Sequence, residues 1–213
     1  PVGAFVGGLV AGFPIMMVIK NLIPIIIFAV AIALGLLKFE NAMIKGFTYF
    51  GKGVVIVITL GLAAAIIEAL TGIVIIPGMN PIHDGIAIVG DIAIVLAGAF
   101  PLVLVITKVF NKPLMALGKL MGMNDVSAAG LVASLANCIP MFGMMKDMDD
   151  RGKIINVAFS VSAAFVFGDH LGFTAGFNAE MITPMIVAKL VGGTTAVLLA
   201  MVIANKTLKK ENA

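Results

Sequence analysis

A chain of 213 residues that is 61% hydrophobic and only 12% charged, with mean hydropathy +1.17, carries about half the charge fraction of a soluble domain, for which roughly 25% is usual. A soluble fold of this size has too much surface for its volume to hide that much apolar area, so lipid is the expected solvent and a membrane protein the expected class. The apolar runs are long and continuous, which excludes a β-barrel, and the basic residues behind the net charge of +3 lie between those runs and not in one patch, which argues against nucleic acid.

The chain opens at Pro1 and runs straight into an apolar segment, with no basic n-region or small-residue cleavage site. It reads as a piece whose N-terminal part is missing. A span needs about 20 apolar residues, and on that template the segments are Val2–Ile19, Leu22–Leu37, Val54–Ile76, Ile86–Ile106, Val126–Met145, Ile154–Phe177 and Met181–Ala204. The first two are joined by a tight Lys20-Asn21 turn, with Pro24 in a helix's first turn. Pro77-Gly78 and Pro81 break the chain between the third and fourth.

Loop charges set the orientation. Lys38, Lys45 and Lys52 follow the second segment, no Lys or Arg lies in Pro77–Gly85, and Lys108, Lys112 and Lys119 follow the fourth. The sides therefore alternate in, out, in. Lys146, Arg151 and Lys153 then break the alternation, and the tail carries Lys206, Lys209 and Lys210. Order returns if Val126–Met145 enters and leaves from the cytoplasmic side as a re-entrant hairpin, which also places the C-terminus in the cytoplasm. Ser127, Ser134, Asn137, Cys138 and Pro140 make that stretch more polar than its neighbours, as a solute path demands. The alternative is an ordinary span whose following loop breaks the rule. The expected fold is all-α: a polytopic transmembrane helical bundle, residues 1–213 forming one domain, with one re-entrant hairpin and one glycine-rich, broken helix.

Ionisable residues at membrane depth are expensive and mark function by default. Five qualify: Glu68, Asp91, Asp169, His170 and Lys189. Glu68 and Asp91 fall toward the outer ends of their spans, either as an acidic vestibule for cations or as carboxylates wetted at the interface. Gly168–Phe177 puts Asp169, His170 and Thr174 among glycines spaced four apart. A continuous helix would use those glycines for close packing, whereas a broken one would free backbone groups for a solute. Lys189 needs a carboxylate or must snorkel, and Asp169 is the expected partner. Asn137 and Pro140 offer an amide and free carbonyls to a solute, or turn chemistry at a hairpin tip. Met141, Met144, Met145 and Met148 read as gap-filling core and not as copper ligands. The lone Cys138 allows no intramolecular disulfide, and His83 and His170 have no ligand spacing around them, so neither a metal nor another cofactor is expected. No nucleophile or paired acid–base motif is present, so an enzyme is the least expected class.

Asn137–Gly143, Lys146–Lys153 and Gly168–Gly176, with Gly61–Ala65, Thr71–Ile73, Ile76–Met79, Met185–Val187 and Lys189–Gly193, make long uninterrupted strings that resemble the EutH family, the ethanolamine permeases of bacterial ethanolamine-utilisation operons. The resemblance covers essentially the whole chain. It implies a carrier of the bacterial inner membrane that brings ethanolamine in for breakdown to acetaldehyde and ammonia, commonly inside a microcompartment. Family members are longer, so the chain corresponds to their C-terminal half or a little more. The expected partners are ethanolamine, the lipid bilayer, the missing N-terminal part and a second protomer. Gly3, Gly7, Gly8 and Gly12 would pack against one of the latter two. For an ammonium alcohol, Asp169 would take the cation, while His170, Thr174 or Asn137 would take the hydroxyl. Phe142, Phe165, Phe173 and Phe177 would add cation–π contact. Asp169 and His170 would equally serve as a proton relay. Two rivals stand beside this reading: a transporter for another small polar solute, and a membrane scaffold that docks partners on its charged Lys146–Lys153 loop.

Overall fold

The computed structural model describes the backbone of residues 1–211, and side chains except those at 99, 100, 102, 103, 106, 107, 110, 111, 114, 117 and from 206 onward. The basic tail of Lys206, Lys209 and Lys210 therefore lies outside the described side chains. The described chain is helical, in the order α1 (Val2–Val10), α2 (Ile15–Thr71), α3 (Ile82–Leu120), α4 (Asp125–Ala136), α5 (Cys138–Met144), α6 (Asp150–Ala163), α7 (Asp169–Phe177) and α8 (Ile182–Glu211). Short 3-10 turns occupy Met145–Asp147 and Ala179–Met181. Two stretches among the described residues are long and apolar enough to cross a membrane, Ile15–Thr71 and Ala179–Asn205, containing an 18-residue window of mean hydropathy 2.6 and 2.1 respectively. The chain forms two compact units, Pro1–Leu22 with Gly90–Ala213, and Ile23–Val89.

The first apolar segment is not one helix. Gly12 turns the chain at φ +80, a backbone conformation that only glycine adopts without strain. Pro14 follows, and α2 starts at Ile15. The turn expected at Lys20-Asn21 is absent: α2 runs through both residues, and Pro24 sits inside it. The basic stretch 38–53 is helical as well. At about 1.5 Å per residue α2 would run roughly 85 Å if straight, well over the ~30 Å of a bilayer core. It bends at Phe39 (φ −135, ψ 45), where Gly35 lets the Met43 side chain fold against it. The non-helical backbone at Phe39 divides the stretch into two helices beside the end expected at Leu37, and the basic residues beyond it continue as helix, since Lys, Glu, Ala and Met favour helical backbone.

In the first unit, α1, α6 and α8 pack through small residues. A Cβ on Gly3 would overlap the Ala188 carbonyl oxygen and lie 2.9 Å from the Gly192 Cα. A Cβ on Gly7 would lie 2.6 Å from that of Ala188. Small residues four apart on both helices bring the backbones into direct van der Waals contact. The expectation that Gly3 and Gly7 await a missing segment or another protomer is therefore corrected: α8 of the same chain covers them. On the next face of α8, Gly193 meets Ala163 and Phe159 of α6. The core gathers Met121, Met123, Ile155, Val197 and Ala200, with Leu131, Phe159 and Met201 against it.

Candidate functional site

Two helix interruptions meet in this unit, and each completes the hydrogen bonding of the other. The segment Val126–Met145 is split at Asn137, which is extended (φ −158, ψ 132) and ends α4. Its side-chain oxygen accepts from the Ile139 N–H at 2.8 Å and so caps α5. The amide oxygen of Asn137 is thereby engaged in turn chemistry, leaving its NH2 group to donate. The interruption also deprives the last carbonyls of α4 of their helical donors.

Those carbonyls are taken up by the second interruption. The segment Ile154–Phe177 leaves the helix after Ala163 and re-enters it at Asp169. Between them the Phe165 N–H donates to Ser134 O at 3.0 Å and the Phe167 N–H to Leu135 O at 2.9 Å. Each unmade bond here would leave a buried polar group at about 1–3 kcal/mol. Phe165 holds φ +61, a strained value for a side chain with a Cβ, of order 1–3 kcal/mol. Gly168 seats the linker directly on the Ala136 carbonyl, which a Cβ would overlap.

α7 carries most of the residues singled out from sequence. Asp169 and His170 occupy its first turn, and both are exposed. The acid suits the positive end of the helix dipole, and it makes no ion pair among the described residues. The His170 ring lies 5.3 Å from that of Phe165. The Thr174 hydroxyl donates back to the His170 carbonyl at 2.7 Å, so only its lone pairs are free. Phe173 is exposed and stacks on Phe177 at 5.9 Å.

Lys189 lies half-buried on α8 but forms no ion pair with Asp169 among the described residues, which corrects the expected pairing. The backbone of Lys189 accepts from the Ser162 hydroxyl at 3.3 Å. Asp91 belongs to this unit too. A Cβ on Gly172 would lie 2.8 Å from Ile92 Cγ2, and one on Gly176 would lie 3.2 Å from Asp91 Cβ, so α7 rests against this part of α3. Glu68 belongs to the other unit, half-buried near the end of α2.

A polar clasp that sequence reading did not single out joins the start of α4 to the start of α6. Asn124 caps α4, accepting from the Ser127 N–H at 2.9 Å and hydroxyl at 2.7 Å. Asp149 caps α6, accepting from the Gly152 N–H at 3.4 Å, and also from the Asn124 N–H at 3.0 Å and the Ser127 hydroxyl at 2.8 Å. Partial burial opposes its charge, yet those hydrogen bonds together hold its carboxyl below the ordinary aspartate range. The fully buried Asn156 donates to the Ser127 and Gly152 carbonyls, both at 2.9 Å. Arg151 donates to Met121 O and Asn205 Oδ1. The N-D/D-R-G spacing of caps was the available signal for this clasp; for Phe165 there was none.

The model of "Ethanolamine utilisation protein, EutH" matches residues 1–203. The chain is 67% identical over its full length to "Probable ethanolamine permease EutH" of Listeria monocytogenes, covering 57% of that protein. It is 49% identical to the protein of the same name from Escherichia coli over 97% of the chain and 56% of the relative. It is also 53% identical to "Uncharacterized protein YxeR" of Bacillus subtilis over 92% of the chain and 53% of the relative. The chain thus spans little more than half the length of these relatives, and no solved structure matches it. A family model that runs from Pro1 nearly to the end of α8 leaves one conclusion: the chain belongs to the EutH family.

Proposed function

We propose that this chain is the C-terminal, membrane-embedded part of a permease that carries ethanolamine across the bacterial cytoplasmic membrane, with its C-terminus in the cytoplasm. The observation that carries the reading is the pairing of the two interruptions: the 164–168 linker hydrogen-bonds the end of α4, and the first turn of α7 leaves that junction with Asp169 and His170 exposed. Irregular backbone at membrane depth is tolerated where it is covered by protein or lines a water-filled path. Interrupted helices meeting there are how membrane carriers present charge and backbone polarity to a solute. The names of the relatives point to the same solute.

In this reading α4 and α5 form a hairpin that enters and leaves from the cytoplasmic face. Ethanolamine at neutral pH is largely an ammonium alcohol. Its cation pairs with the Asp169 carboxylate, which has no partner among the described residues. Its hydroxyl reaches the His170 imidazole or the Asn137 NH2 group. The Thr174 oxygen serves only as an acceptor, and Phe173 offers a ring face worth up to about 2 kcal/mol to a desolvated cation. Lys189 and Asp91 set the field around α7 without touching the solute. The scaffold alternative is less favoured because Asp149 and Arg151 bind their own chain instead of remaining free for a partner.

The test is uptake of labelled ethanolamine into proteoliposomes holding the full-length protein, for wild type and Asp169→Asn. Saturable uptake that falls at least tenfold in the variant is expected. Linear uptake indifferent to the substitution would refute the assignment.

A further inference from the structure

The second unit holds a polar cavity that the transport site does not use. The last turn of α2 is closed by Gly72, whose φ of +73 is the left-handed value that ends helices and whose N–H donates to the Glu68 carbonyl at 2.8 Å. The chain then loops over 72–81, with Gly78 at φ +85 after Pro77 as a type II turn requires, and re-enters helix at Ile82. Beneath that loop lies a cavity of about 240 Å3 bounded by Ala65, Glu68, Ala69, Asn80, Ile82 and His83. Glu68 is half-buried and has no ion pair or side-chain hydrogen bond among the described residues. Asp84 adds a second negative charge in the first turn of α3, and no Lys or Arg lies between Lys52 and Lys108.

We propose that the Glu68–Asn80–His83 cavity is a second binding site, outside the transport site, for a small primary ammonium ion carrying a hydroxyl group. The proposal rests on the transport reading, which places the loop on the extracellular side. The Glu68 carboxylate takes the ammonium group. The Asn80 amide and the His83 imidazole supply both donor and acceptor for the hydroxyl. The cavity is several times the ~30 Å3 that a water molecule occupies in the liquid, room enough for a molecule of four heavy atoms. A carboxylate at a half-wet site binds a cation weakly, which suits a site that concentrates solute and lets it go.

The experiment uses the full-length protein in a Cys138→Ser background with Ala69→Cys as a reporter on the cavity wall, labelled by a membrane-impermeant maleimide. Ethanolamine is expected to slow labelling saturably, n-propylamine to do so less well, and ethylene glycol not at all. Adding Glu68→Gln is expected to abolish protection, and Asp169→Asn to leave it intact. In uptake assays Glu68→Gln is expected to raise the KM by roughly three- to fivefold, the scale of one partly exposed charge pair. Labelling at the same rate with and without ethanolamine, or protection that survives Glu68→Gln, overturns the second site. Because labelling needs no turnover, failed uptake with intact protection would overturn the transport reading alone.

Discussion

Asp149→Ala removes one carboxylate that three donors share: the N–H groups of Asn124 and Gly152 and the Ser127 hydroxyl. Loss of the α6 cap alone costs about 1 kcal/mol. The Asn124 N–H loses its only side-chain acceptor, about 1–3 kcal/mol if it finds no water, while the Ser127 hydroxyl keeps Asn124 Oδ1 at 2.7 Å. The sum is about 2–4 kcal/mol, which for a chain of this size lowers the melting midpoint by roughly 6–12 °C at the centre of that range. The assay is thermal unfolding of the detergent-solubilised protein, with Asp150→Ala as the control. Asp150 is exposed and pairs only with Lys153, at 2.9 Å, so its removal shifts the midpoint little. The carboxyl of Asp149 is held below its ordinary range, so its contribution is complete above the unfolded value near 3.9 and is lost as pH falls through the lower folded value. The gap between wild type and Asp149→Ala should therefore be constant at neutral pH and close only in strong acid. Equal midpoints for Asp149→Ala and Asp150→Ala would refute the clasp.

Four further substitutions probe the packing. Gly168→Ala drives a methyl group into the Ala136 carbonyl oxygen, so the paired interruptions must separate; folded yield should collapse, as size-exclusion chromatography would show. Gly3→Ala should likewise loosen α1 from α8 and lower the melting midpoint, whereas Gly46→Ala, with open space around it in α2, should raise stability by up to about 1 kcal/mol through helix propensity. Asn156→Ala leaves the Ser127 carbonyl without its donor and opens a small void, a loss of about 2–4 kcal/mol readable in the same melts.

Much of this was legible residue by residue. The family could be read from the strings around Asn137, Asp149 and Asp169, and the model match runs through all three. Pro77-Gly78 and Pro81 marked the break between α2 and α3, but α2 ends earlier, at Thr71, and α3 runs on to Leu120, past the end expected at Ile106. Helix continues through Lys20-Asn21 and from Glu40 through the basic stretch to 53, because polarity in a sequence does not by itself end a helix, whereas the backbone does leave the helix at Phe39. The Asp169–Lys189 pair, expected because the chain turns back between the two, does not form among the described residues.

Composition and apolar run length by themselves determined the helical class, because a chain this poor in charge has few other ways to satisfy its backbone. Only the tertiary structure decided where the helices are interrupted. Phe165, Val166 and Phe167 carry no breaker, and their local preference does not demand φ +61 at Phe165. That conformation persists because Ser134 and Leu135, some thirty residues earlier, present carbonyls that no helix of their own can fill. An unsatisfied acceptor distant in sequence outweighs a local torsional preference when the two meet out of water.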